Sequence, residues 1–131
     1  MPHAVLSGRF LLSEWGRTFS AIHEQTDAWI IKVDEIYVEH RGERAILPAI
    51  VIEEGHPQTF YIRLSSADSN HRLTIRLDPA TDPIKTQGVK RSIAAVAESL
   101  LGHDPTLAIE THNLTGFILR DDPSSFAGSN A

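Results

Sequence analysis

Four residues in one stretch, Tyr61, Arg63, Arg72 and Arg76, carry side chains able to hold an anion. Arginine's planar fork donates two parallel hydrogen bonds to a carboxylate or phosphate, a geometry lysine does not offer. Period-two geometry puts Tyr61 and Arg63 on one face of a strand, with Arg72, Thr74 and Arg76 on the same face of the next. These arginines can equally pair with Glu39 and Glu53 on adjoining strands, an arrangement that needs no ligand. A second group, Lys85, Gly88, Lys90 and Arg91, falls at the start of a predicted helix. Bases oppose the positive end of a helix dipole, and an anion on the amides around Gly88 would reverse that sign. Solvent screening of exposed bases is the alternative account.

Other chemistry finds less support. Seven histidines (3, 23, 40, 56, 71, 103 and 112) are scattered without a recognised metal spacing. Glu110 and His112 would share a strand face near His103-Asp104, which permits a two-histidine, one-carboxylate site. Coincidental surface groups explain them as well, so no metal is expected. Ser7 and Ser65-Ser66 lack the Gly-x-Ser-x-Gly setting of an exposed nucleophile. Asp34-Glu35 and Glu53-Glu54 are sequence neighbours, so on a strand they point to opposite faces and share no proton. Trp15 and Trp29 read as core or interface aromatics.

Charge narrows the partners. The 131-residue chain has a net charge of −5, which argues against a general nucleic-acid binder. Yet residues 60–91 hold six bases against three acids, between two acidic flanks. Such a local basic stretch steers a small anion without drawing in polyanions. The absence of cysteine removes disulfides, thiol nucleophiles and cysteine-ligated zinc, and fits a reducing compartment. No stretch approaches the ~18 apolar residues of a membrane span. The first residues lack the basic and apolar regions of a secretory signal, so a cytoplasmic protein is expected.

The elements that must position these residues follow from periodicity. Trp29, Ile31 and Val33 alternate as in a strand, and the parity switch to Ile36 and Val38 predicts a bulge or break near Asp34-Glu35. Ala45–Glu53 reads as a strand with Pro48 at an edge or bulge. Thr59–Leu64 and Arg72–Leu77 form the clearest pair, joined by a loop over Ser65–His71. Short connections favour antiparallel neighbours. The inner face would hold Phe60, Ile62 and Leu64 opposite Leu73, Ile75 and Leu77. Asp82-Pro83 resembles a cap with proline at the first helical position. Val89, Ile93, Val96 and Leu100 then mark an amphipathic helix over about 84–101, with Gly102 as its stop. Thr106–His112 and Thr115–Arg120 predict a short hairpin. Residues 4–25 lean towards a helix on the stripe Leu11, Trp15, Phe19 and Ile22, with an edge strand as the alternative.

The strand ending at Leu77, the run Lys85-Thr86-Gln87-Gly88-Val89-Lys90, a helix and a following strand resemble, over about 40 residues, the pyrophosphate-binding element of the GNAT-type N-acetyltransferases. That element carries Gln/Arg-x-x-Gly-x-Gly/Ala. Here lysine stands at the first position, and Lys90 stands where a small residue lets the backbone approach phosphate. The resemblance implies a coenzyme A site at the helix start.

Taken together, the sequence predicts an α+β domain over residues 1–120. An antiparallel β-meander of at least four strands packs against one amphipathic helix, and residues 121–131 form a disordered tail. The leading functional expectation is a binding or adaptor domain for a partner protein or small anionic ligand, without cofactor, and homo-oligomeric through a sheet edge. The alternative is a small transferase holding a phosphate-bearing cofactor at Lys85–Arg91.

Overall fold

The computed structural model describes residues 1–118. Among these, eight strands and two helices form a mostly antiparallel α+β fold with one main helix. In chain order these are β1 (His3–Ser7), α1 (Leu12–Arg17), β2 (Ile22–Gln25), β3 (Ile30–Val33) and β4 (Tyr37–Val38). There follow β5 (Arg44–Glu53), β6 (His56–Ala67), β7 (Arg72–Leu77), α2 (Gln87–His103) and β8 (Ala108–His112). Strand order across the sheet is β2-β3-β5-β6-β7-β1-β8, with β4 pairing the first part of β5. Every pairing is antiparallel.

The long strands β5 and β6 set the register of everything else. Ala45, Leu47, Ala49 and Val51 are buried while Arg44, Ile46, Pro48 and Ile50 face outwards, the alternation of a sheet with one covered face. Ile62 and Leu64 of β6 stand opposite Leu77 and Ile75 of β7, all four buried, as periodicity requires. On β5's other side, β3 pairs with Ile50–Ile52 and β4 with Ala45-Ile46. Pro48 lies between these two pairings, where no ladder bond is asked of it. The break near Asp34-Glu35 is what separates β3 from β4.

Helix α2 contacts β1, β2, β3, β5 and β7, and buries Val89, Ile93, Val96 and Leu100 as the spacing predicts. Its start differs from expectation. Pro83 is not the first helical residue; Thr86 is the cap, accepting the Val89 N–H at 3.3 Å, and the helix begins at Gln87. A threonine hydroxyl satisfies an orphan amide directly, which the Asp82-Pro83 pair, four residues upstream, does not. At the other end the helix runs through Gly102 to His103.

Three further corrections concern residues 4–25, the β6–β7 loop and residues 115–118. Residues 4–25 are not one helix but a strand, a six-residue helix and another strand. Gly16, Thr18 and Ser20 are poor helix formers, so the helix stops at Arg17 and Thr18 caps it. The apolar stripe still coheres, since Trp15 meets Phe19 edge-on at 5.3 Å. The loop between β6 and β7 is shorter than expected. β6 continues to Ala67, and Asp68, Ser69 and Asn70 turn the chain with φ of 52°, 54° and 68°. Finally, Thr115–Phe117 form a turn in which Phe117 and Ile118 N–H groups both reach Leu114 O, so no strand starts there. Residues 119–120 and the predicted tail lie outside the described residues.

Candidate functional site

The outward face of the sheet carries one transverse row that crosses five strands. Tyr37 on β4 stands opposite Ile46 on β5, and Ile46 opposite Arg63 on β6. Arg63 in turn faces Arg76 on β7, and Arg76 faces His3 on β1. The row therefore runs from an aromatic and an aliphatic side chain into two arginines and a histidine. One row away stand Arg44, Ser65 and Thr74, also in register.

Directly opposed like charges destabilise a sheet unless something neutralises them. Among the described residues neither Arg63 nor Arg76 has an ion-pair partner, and Arg76 Nε is buried without a hydrogen bond. Glu39, foreseen as a possible partner, lines the same depression as Arg63 without bonding it. That depression, about 410 Å³, is bounded by Tyr37, Val38, Arg44, Ile46, Arg63, Glu39 and Asp78. Asp78 Oδ1 is already engaged by the Ala80 N–H at 2.8 Å. Tyr61 lies in the neighbouring row, opposite Pro48, and is 44% exposed.

The other arginine of the anticipated clamp is employed elsewhere. Arg72 forks onto Glu110, with Nε and Nη2 each 3.1 Å from a carboxylate oxygen, and also meets Asp68 at 3.0 Å. It reaches across β1, where Ser7 stands opposite Arg72, to Glu110 at the register shift between β1 and β8. The bidentate bond to Glu110 raises the Arg72 pKa above its ordinary value.

At the start of α2 the anion is the protein's own. The Glu53 carboxylate accepts the Gly88 N–H at 3.1 Å and a short bond from the Thr86 hydroxyl. Sequence reasoning identified the amides around Gly88 as an anion seat; it offered Glu53 to the arginines instead. The tight seat also explains the glycine, because a Cβ there would lie 2.7 Å from Val51 Cγ1 and 2.8 Å from Glu53 Cδ. Lys85 pairs with Asp82 at 3.1 Å, and Lys90 is half-buried with its backbone N–H on Thr86 O.

Arg91 lies deeper than its place near the helix start suggested, with its side chain only 11% exposed. Its Nε and Nη2 grip both oxygens of Glu24, at 2.8 to 3.1 Å, and Nη1 bonds Glu98 and the Phe117 carbonyl. Trp29 Nε1 donates to Glu24 Oε2 at 2.8 Å and completes the cluster. Glu24 is held below the usual carboxylate range, first by its bonds from Arg91 and then, against burial, by Trp29. Burial pulls the Arg91 pKa down, but its bonds to Glu24 and Glu98 outweigh this and leave it raised. This cluster ties β2, α2 and the C-terminal turn together. Arg91 and Glu98 share a face of α2 two turns apart, but nothing in the sequence signals Glu24, 67 residues away.

The histidine and carboxylate group near the C-terminus does not converge. Glu110 serves Arg72, Asp104 accepts from Thr106, and His112 Nδ1 accepts the Leu114 N–H. Among the described residues no group of metal-ligating side chains forms a site. No described helix is long and apolar enough to cross a membrane. No protein-family model, curated protein or solved structure matches the chain.

Proposed function

We propose that this chain is a binding module that takes an anion on the outward face of its sheet, at Arg63 and Arg76. One observation carries the reading: two guanidinium groups face each other across β6 and β7 with no acid bonded to either. A bound carboxylate or phosphate would convert that repulsion into two charge-assisted interactions. The Ser65 and Thr74 hydroxyls, paired one row away, supply neutral donors of the same kind. A coenzyme A site at the start of α2 is less well supported, because Glu53 already holds the Gly88 amide there. For a cysteine-free chain we favour the cytoplasm as the place of action.

The test is a thermal-shift and NMR titration with acetate, inorganic phosphate and longer carboxylates, on the native protein and on the R63Q/R76Q double variant. Anions should raise Tm and move the Arg63 and Arg76 Nε–Hε signals of the native protein, and do neither in the double variant. An R72Q variant should respond as the native protein does. Equal responses in the native and double variants would overturn the proposal.

A further inference from the structure

The site has an apolar half and a charge count, and together they define its ligand. Resting on the anion-binding reading above, we propose that the ligand is a small amphipathic monocarboxylate, with its carboxylate on Arg63 and Arg76 and its apolar body over Ile46 and Tyr37.

The depression continues the arginine pair on one side only. Ile46 is the immediate neighbour of Arg63 and Tyr37 the neighbour of Ile46, in the same row. Tyr37 is 62% exposed, a large apolar surface left open to solvent beside a charged pair. Adjacent strands lie about 4.8 Å apart, so Ile46 is one strand spacing and Tyr37 two from Arg63, roughly 5–10 Å. That is the reach of a carboxylate carrying a short alkyl or aryl group. The volume of about 410 Å³ lies at the lower end of small-molecule sites and suits such a body.

Charge selects one negative unit over two. Arg44 and Arg63 are balanced by Glu39 and Asp78 in the lining of the depression, and Arg76, opposite Arg63 on β7 but outside that lining, adds one positive charge beside it. A monocarboxylate neutralises it. A phosphate dianion overshoots, and meets Glu39 and Asp78 at close range. A planar carboxylate also matches the guanidinium fork.

The experiment compares acetate, hexanoate, phenylacetate, hexanol, hexylamine and inorganic phosphate by NMR titration of the native protein, the R63Q/R76Q variant and an I46S variant. Ile46 faces outwards, so its replacement spares the core; native-like spectra and Tm would verify this. Hexanoate and phenylacetate should bind at least about tenfold more tightly than acetate, the increment expected for a few buried methylenes. Hexanol and hexylamine should not bind, and phosphate should bind more weakly than hexanoate. I46S should reduce the hexanoate advantage over acetate while leaving acetate unchanged. If acetate, phosphate and hexanoate bind equally, and all depend on the arginines, the ligand class is wrong and the anion site stands. If an acidic peptide binds through the arginines where the small carboxylates do not, the ligand class is likewise wrong. If nothing binds through Arg63 and Arg76, both readings fall.

Discussion

Glu53, the last residue of β5, places its carboxylate on the backbone N–H of Gly88 in the first turn of α2, at 3.1 Å. The contact joins the sheet to the helix by the same electrostatics that hold external anions at helix starts. It also fixes what residue 88 can be. Gly88→Ala should destabilise the protein although alanine is the better helix former by about 1 kcal/mol. A methyl group there meets Val51 and Glu53 below 3 Å, and overpacking costs about 1–3 kcal/mol. Urea denaturation checks the sign. A stabilised variant would mean that the sheet and helix are not held this close.

Arg91 is the costliest arginine to remove. Arg91→Met leaves Glu24 and Glu98 partly buried without their counter-charge and frees the Phe117 carbonyl. Breaking a buried ion pair from one side costs about 3–5 kcal/mol, and the partial exposure of Glu24 puts the expected loss near the lower figure. Arg91→Lys should recover little of it, since an ammonium cannot span Glu24, Glu98 and Phe117 together. The comparison is of the two variants' unfolding midpoints with that of the native protein.

Acid should loosen the same cluster. Glu24 titrates below the range of an unfolded glutamate, chiefly through its bonds from Arg91, so the stability it contributes is fully present above that range. It is lost as pH falls through the lower folded pKa. Asp104, depressed first by the Thr106 hydroxyl and then by the Thr106 N–H, acts in the same direction. The native protein should therefore lose stability as pH drops below about 4.5, and Glu24→Gln should flatten that slope while lowering stability at neutral pH. Unfolding measured from pH 3 to 7 on both proteins reads the difference.

Arg63 and Arg76 should behave in the opposite way. Replacing either with glutamine relieves an unpartnered like-charge pair, and for Arg76 also the buried Nε. Each replacement should stabilise the ligand-free protein by about 0.2–1 kcal/mol. The gain should shrink as salt screens the pair. Arg72→Gln should give no gain, because Arg72 has Glu110 and Asp68. Midpoints at low and high salt separate the three variants.

Local rules read most of the individual elements correctly. The alternation in β5, β6 and β7 and the 3.6 period of α2 reflect one buried face each, so the pattern of apolar residues is the structure's own imprint. The outward placement of Tyr61, Arg63, Arg72 and Arg76 followed from that period alone. Boundaries were less legible: Thr86, not Asp82, caps α2, and the stripe from Leu11 to Ile22 is shared by a short helix and a strand. Periodicity shows which residues are covered but not where backbone bonding changes partner.

Pairings between distant residues were decided by the tertiary structure. Arg72 and Glu110 are 38 residues apart and Arg91 and Glu24 are 67, whereas Arg91 and Glu98 sit two turns apart on α2. Two of those acids lie on the sheet's outer strands, β2 and β8, whose positions depend on strand order. Strand order depends on pairings between strands far apart in sequence, such as β1 with β7 and β8, and no local pattern encodes it. Composition and spacing identify the six bases of residues 60–91 and place Tyr61 beside them. Which arginines found acids, and that Arg63 and Arg76 found each other, was settled when β7 paired with β6 on one side and β1 on the other.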